Sequence, residues 1–336
     1  MKSAARIAVI GAGLAGLSCA RTLQAAGHDV IVFEKSRAAA GRMSTKRGES
    51  NTGEAWQCDT GAQYFTARDD AFQAEVQRWQ DAGVATEWHP EIAVFGDAPA
   101  QSPHARPAMR YVGSPRMTAP ARYLAETLTL QTQTTIQALR RDGSTWALRS
   151  AEHDWLSPRF DAVVVATPAP QAVPLLQPVQ AALADLAASV RMRGSWALML
   201  RYAAPLQLGF EAAFVNRGPL RWIAQNSHKS GRSGQHCWLL HASAAWSDAH
   251  IEDSADTVAE ALLAAFAELG GSTPDAWSAH RWRYADSAQP LQIGAVWQAA
   301  DGLGLCGDWL NGGKVEGAWC SGQILAGQML ASLSPG

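Results

Sequence analysis

Residues 6–34 leave little freedom in how this chain begins to fold. Arg6 to Ile10 is an apolar, largely β-branched run, Gly11-Ala12-Gly13-Leu14-Ala15-Gly16 follows, and a helical pattern continues through Ala26. Gly27-His28 stops that helix, and Asp29 to Glu34 is a second apolar run closing on an acid. The order is strand, glycine turn, helix, strand, the opening of a dinucleotide-binding α/β domain. Gly11 suits the tight turn, Gly13 lets a pyrophosphate approach the backbone, and Gly16 allows close helix–strand packing. The uncapped N–H groups of the helix would take the phosphates, aided by Ala12 in the turn. Glu34, 18 residues beyond Gly16, would accept hydrogen bonds from the adenosine ribose.

NAD and FAD share this fingerprint, and the continuation favours FAD. Lys35 follows the acid, and Gly41-Arg42 lies seven residues past it, where many FAD enzymes place an arginine against the pyrophosphate. Phe160 to Pro168 reads as a buried strand returning to the nucleotide-binding sheet. Thr134 to Leu139 alternates as a strand whose backbone near Ile136 would meet the adenine. Near the end, Gly304 to Asp308 is a short strand closing on Gly-Asp, followed by Gly312-Gly313-Lys314-Val315 and a helix to about Leu333. Asp308 would bind the ribityl or phosphate region. The helix N-terminus at Val315 would face the flavin N1–C2=O edge, where its positive dipole end favours negative charge.

Three nucleotide-binding segments at the start, middle and end place a second domain between them. The expected division is 1–68, 115–170 and 291–336 for the FAD domain, with 69–114 and 171–290 for the substrate domain. Ser195 to Tyr202 and Cys237 to His241 read as strands, Asp253 to Leu269 as a helix, and Ser227 to Gly234 (SHKSGRSG) as a flexible loop. With 28 basic and 30 acidic residues and no basic stripe, nucleic-acid binding is not expected. No apolar stretch approaches the span of a bilayer. Gly11, Gly13 and Gly16 break the N-terminal apolar run, which argues against a signal peptide. Five cysteines without a C-x-x-C pair point to reduced thiols and a cytoplasmic location. The 14 tryptophans fit either core mass or the walls of a pocket for a flat ligand.

Taken together, these motifs resemble the renalase-like flavoproteins, the bacterial members in particular. The resemblance rests on Gly41-Arg42-Met43-Ser44-Thr45-Lys46-Arg47, Asp59-Thr60-Gly61-Ala62-Gln63-Tyr64-Phe65-Thr66-Ala67-Arg68, Ala166-Thr167-Pro168-Ala169-Pro170-Gln171, His280-Arg281-Trp282 with Tyr284, and Cys306-Gly307-Asp308-Trp309 with Val315-Glu316-Gly317-Ala318-Trp319. It extends over nearly the whole chain and implies a Rossmann-type α/β FAD domain with an inserted mixed-sheet substrate domain, similar to p-hydroxybenzoate hydroxylase and monoamine oxidase. It further implies noncovalent FAD, with Asp59, Thr60, Gly61 and Ala62 at the cofactor. The implied reaction is oxidation of the 2- and 6-dihydro isomers of NAD(P)H to NAD(P)+, with O2 reduced to hydrogen peroxide. One relative has an arginine where this chain has Lys314, so a bidentate substrate contact is not expected there.

Loss of hydride from a dihydropyridine gives an aromatic pyridinium directly, so the protein has mainly to hold the ring and exclude water. Trp282 and Tyr284 are the candidate aromatic walls, joined by Tyr64; Gln63, Arg68, Ser195, His280 and Lys314 are the polar candidates. Two alternatives remain within the fold, an amine oxidase or a desaturase. A lysine-bridged amine oxidase is disfavoured because none of the five lysines falls in an expected strand of the substrate insert. A third reading is a dinucleotide-binding module without turnover.

Overall fold

The computed structural model describes residues 4–97 and 109–333, which form two compact units. Among the described residues, the first comprises 4–41, 121–192 and 286–333, and the second 42–97, 109–120 and 193–285.

The first unit is built on a six-stranded sheet in the order Val296–Gln298, Leu303–Leu305, Ala162–Val165, Arg6–Ile10, Asp29–Phe33, Thr129–Gln131. All neighbours are parallel except the Val296–Gln298 edge strand. Ala162–Val165 and Leu303–Leu305 are buried throughout, and Arg6–Ile10 and Asp29–Phe33 after their first residue, as parallel strands covered on both faces must be. Register aligns Ile10 with both Phe33 and Val165, Val165 with Leu305, and Phe33 with Gln131, so the strands end in one row. Every loop that leaves that row starts at the carboxyl edge of the sheet.

Helix Leu14–Ala25 packs against helix Lys314–Leu333. A Cβ on Gly322 would stand 2.1 Å from Ser18 Oγ and 2.2 Å from the Ala15 carbonyl, so only glycine permits this crossing. The hydroxyl of Ser18 donates to the Trp319 carbonyl at 2.9 Å across it. An antiparallel sheet of Ile136–Asp142, Thr145–Ser150 and Asp154–Trp155 completes the unit. Trp146 and Trp309 are fully buried here, and Trp79 and Trp238 in the second unit, so much of the tryptophan is core mass.

The second unit holds a six-stranded sheet in the order Ala276–Ser287, Met192–Tyr202, His236–Ala242, Leu220–Gln225, Ala212–Val215, Ile92–Phe95. The antiparallel hairpin Thr45–Glu49 with Ala55–Asp59 belongs to this unit. The compact units divide after Gly41, where the expected domain boundary is after residue 68, and the Asp59 side chain is tied to Lys229 and Arg232 of the same unit. The Asp70–Asp81 helix starts at Asp69, whose carboxylate accepts the Phe72 N–H at 3.0 Å. Phe72 and Trp79 pack from it edge-on to each other and beside Phe65. The expected helix over 253–269 is found as Ala255–Ala267, with Ser254 as its cap. Among the described residues, no helix is long and apolar enough to cross a membrane.

Candidate functional site

At the carboxyl edge of the first unit's sheet the three glycines of the fingerprint carry distinct constraints. Gly11 has φ +109°, and a Cβ there would lie 2.7 Å from the Ala166 carbonyl oxygen. A Cβ on Gly16 would meet the Gly11 carbonyl at 2.1 Å. Both are therefore required by the fold itself. At Gly13 a Cβ would find nothing within 4 Å. No protein atom demands glycine there, while the helix that begins at the next residue has no side-chain cap and no acid in its first turn. An open approach to buried, uncapped N–H groups is what a phosphate requires. Gly41, with φ +52°, closes over the same turn: its Cβ would lie 3.3 Å from Gly13 Cα.

Glu34 is buried beside this turn. Its carboxylate accepts the Ala12 N–H at 2.9 Å and the Ser36 N–H at 2.8 Å, which fixes the glycine turn against the end of the second strand. Each carboxylate oxygen keeps a further acceptor site for a ribose hydroxyl. The Thr134 N–H donates to the Glu34 carbonyl at 3.0 Å, bringing the segment that leads into Ile136 to this edge. The Ile136 side chain itself turns into the core with Phe33 and Phe160. Lys35 is exposed.

Asp308, nearly buried, follows Leu303–Leu305 at the same edge, and its carbonyl accepts the Gly313 N–H at 2.8 Å. Gly312, Gly313 and Lys314 all have positive φ, a left-handed turn that swings the chain into the last helix. Lys314 points to solvent, and Val315 is half-buried. The residues present thus fit an adenine dinucleotide: Gly11, Ala12, Gly13 and Gly16 for the pyrophosphate, Glu34 for a ribose, Gly41 for clearance, and Asp308 beside the final helix.

The remaining candidates lie in the second unit. Thr60 Oγ1 and Ser44 Oγ are 2.7 Å apart, and a Cβ on Gly61 would strike the Arg42 carbonyl at 1.9 Å, so 42–44 and 60–61 run in contact. Arg42 donates to the Ala285 carbonyl at 3.1 Å, and the Ala62 N–H donates to the Arg42 carbonyl at 2.9 Å. The Thr60 carbonyl accepts both Trp282 Nε1–H at 2.9 Å and His241 Nε2–H at 3.0 Å. His280 stands edge-on to Trp282 with centroids 4.5 Å apart. Burial, together with nearby cations, holds both His241 and His280 at about 4, so both rings are neutral near pH 7. Ser195 and Tyr284 are half-buried in the strands that carry Trp196 and Trp282. Arg68 is exposed at the end of its segment. Tyr64 lies in an aromatic cluster, its ring centroid 5.5 Å from that of Trp222 and 6.1 Å from that of Trp88, with Arg110 over its ring.

Two features were not visible in the sequence. Asp59, expected at the cofactor, has both carboxylate oxygens engaged within the unit: Oδ1 by Thr45 and Met117, and Oδ2 by Lys229 at 3.2 Å and Arg232 at 2.5 Å. The Ser227–Gly234 segment, expected to be a flexible loop, is a loop after the short 3-10 turn Asn226–His228 and is exposed at most of its positions, but two of its side chains are anchored inside the unit. Lys229 and Arg232 have fully buried side-chain ends, and a Cβ on Gly234 would meet the Ala55 carbonyl at 2.0 Å. Nothing local marks this, because serine and glycine read as loop while the partner lies 170 residues away. Lys46 also proves to lie in a strand of the second unit, which the expected boundary had excluded.

Residues 9–79 match a family described as NAD(P)-binding Rossmann-like domain, and residues 99–330 match one described as flavin containing amine oxidoreductase. An L-amino-acid oxidase of Demansia vestigiata is 45% identical over 56 residues, 17% of this chain and 10% of that protein. An L-amino acid oxidase of Bothrops pictus is likewise 45% identical over 56 residues, 17% of this chain and 11% of that protein. The matched segment therefore spans about a tenth of these curated relatives. Among solved structures, a protein assigned as a protoporphyrinogen oxidase from Exiguobacterium sp. 255-15 superposes with a TM-score of 0.76 at 11% identity, covering 99% of both chains. Putrescine oxidase bound to putrescine gives 0.69 at 13% identity, covering 98% of this chain and 99% of that one. At these identities the likeness establishes the fold. The amine-oxidoreductase match and the dinucleotide geometry together identify the cofactor as FAD.

Proposed function

Because the chain belongs to the flavin-containing amine oxidoreductase family, we propose that it is an FAD-dependent oxidase of the 2- and 6-dihydro isomers of NAD(P)H, as the renalase-like motifs imply. FAD, when bound, supplies the two-electron acceptor, and O2 the terminal oxidant that leaves as hydrogen peroxide. The product is NAD(P)+, and the process is a repair of isomers that ordinary dehydrogenases cannot use.

The observation that carries this reading is the Trp282 corner. The indole is fixed by its N–H on the Thr60 carbonyl and by the neutral imidazole of His280 against its edge. A flat wall with neutral imidazoles suits a substrate whose oxidation needs orientation and a dry surface but no proton transfer at the ring. Gln63, expected as a polar substrate contact, is nearly buried and hydrogen-bonded to Asp59, Gly61 and Lys229, so in this reading it shapes the segment that carries Thr60.

Amine oxidation is the second reading, favoured by the family match over 99–330 and by the segment shared with L-amino-acid oxidases. Anaerobic mixing separates the two. Borohydride-reduced NAD+, which contains the 2-, 4- and 6-dihydro isomers, should bleach the flavin band through its 2- and 6-isomers, while authentic 4-dihydro NADH reacts slowly and benzylamine, putrescine and L-leucine leave the band unchanged. Faster bleaching by an amine would transfer the assignment to amine oxidation. A band that no donor bleaches would mark a binding module.

A further inference from the structure

The second unit contains a buried charge cluster that the proposed chemistry does not use. Asp59 lies between two cations, Lys229 and Arg232, and all three side chains are almost wholly shut off from solvent. Burial by itself would raise the Asp59 pKa, but Lys229, Arg232 and the Thr45 hydroxyl outweigh it, so the carboxylate is ionised. A single carboxylate would satisfy one cation, and Arg232 already binds it while also donating to the Gly113 carbonyl. Lys229 is thus surplus to charge pairing, and its second contact says what it does. Its ammonium donates to Asp59 Oδ2 at 3.2 Å and to Gln63 Oε1 at 3.0 Å. Gln63 in turn donates from Nε2 to the carbonyls of Asp59 at 2.8 Å and Gly61 at 3.1 Å. Lys229, Asp59 and Gln63 therefore close a ring around the turn 59–63. From the other side, the Asp59 N–H is held by Asn226 Oδ1 at 3.1 Å.

Inside that ring sits Thr60, nearly inaccessible to solvent, whose carbonyl holds Trp282 and His241. A carbonyl directs its acceptor lone pairs along the plane of its peptide group. Rotating the 60–61 peptide would break both hydrogen bonds at once and release the indole.

We propose that Lys229 and Gln63 are positioning residues that lock the 59–63 turn, and through the Thr60 carbonyl set the orientation of the Trp282 ring. Lys229 does this from a fully buried position, through Asp59 and Gln63. The consequence for selectivity rests on the dihydro-NAD(P) reading, whereas the consequence for the Trp282 indole does not.

The tests are Lys229→Met and Gln63→Met. Lys229→Met leaves Asp59 paired with Arg232, so no buried charge is stranded; Gln63→Met opens the ring by removing one acceptor of the Lys229 ammonium while both ion pairs of Asp59 stay in place. The first readout is the ratio of bleaching rates with the 2-dihydro isomer and with 4-dihydro NADH, which does not depend on how much protein is folded. Loss of the lock should reduce this ratio about tenfold or more, since a displacement near 1 Å costs about a hundredfold. The second readout is exchange of the Trp282 Nε1 proton with solvent, followed by NMR and assigned with Trp282→Phe. It should become about tenfold faster in both variants, the effect of losing roughly 1.4 kcal/mol of protection. Unchanged exchange together with an unchanged ratio in a folded variant would overturn the proposal. If wild-type protein shows no isomer selectivity, the function reading fails and the exchange measurement alone decides the inference. Should Lys229→Met fail to fold, Gln63→Met decides it.

Discussion

Trp282 donates its indole N–H to the carbonyl oxygen of Thr60 at 2.9 Å across 222 residues of sequence. This bond joins the last strand of the second unit's sheet to the turn that follows the Ala55–Asp59 strand. It gives a role to the most distinctive stretch of the sequence, in which Asp59, Thr60 and Gln63 act as anchor, acceptor and brace.

Trp282→Ala should slow flavin reduction by the 2-dihydro isomer about a hundredfold while leaving the flavin-to-protein ratio near that of the wild type. Trp282→Phe, which keeps a ring but loses the N–H, should fall between them. Rapid-mixing absorbance and the ratio of flavin to protein absorbance check both. Equal rates in all three proteins would remove Trp282 from the site.

Gly13 and Gly16 should fail in different ways. Gly13→Val meets open space, so the protein should fold with a melting temperature close to that of wild-type apoprotein and purify colourless. Gly16→Val drives a Cβ into the Gly11 carbonyl and should not yield a folded protein. Circular dichroism and the flavin band distinguish the two; a yellow Gly13→Val protein would show that no pyrophosphate lies against that turn.

Glu34→Ala should cost stability even without ligand. It removes the acceptor for two N–H groups and strands the Ala12 N–H at a buried position, a loss of about 1–3 kcal/mol. FAD affinity should fall as well. Urea unfolding of the apoprotein isolates the first effect, and an unchanged midpoint would show that the carboxylate does not brace the turn.

Asp59→Asn should destabilise the protein more than Lys229→Met does. It leaves two buried cations without a countercharge, which costs about 3–5 kcal/mol, whereas the lysine variant keeps a balanced pair. Denaturant midpoints of the two variants measured side by side give the order. A larger loss in Lys229→Met would mean that Arg232 does not neutralise Asp59.

Acid should weaken the fold through His241. Its pKa in the native protein is about 4 against an ordinary 6.5, so the neutral ring is the stabilised form. The contribution is fully present above pH 6.5 and is lost as the pH falls towards 4, on the order of 2–3 kcal/mol over that interval. His280 acts in the same direction. His241→Gln can still donate to Thr60 but cannot take up the proton, so its melting temperature should decline less between pH 7 and pH 4.5. Parallel curves for the two proteins would exclude His241 as the source.

The sequence by itself determined the nucleotide half of the protein. Gly11, Gly13, Gly16, Glu34 and Gly41 lie within 31 consecutive residues, and their roles follow from local rules: strand, turn and helix dictated by burial pattern, φ and capping. The tertiary structure alone decided the other half. The family resemblance implies that Asp59 lies at the cofactor, yet its carboxylate faces Lys229 and Arg232, both in a stretch whose serines and glycines read as loose. Removing a charge from water is costly, and a countercharge removed with it offsets that cost. The partner of each charge is chosen by chain topology, here the pairing of Ala55–Asp59 beside the turn after Leu220–Gln225, and no local pattern encodes that choice.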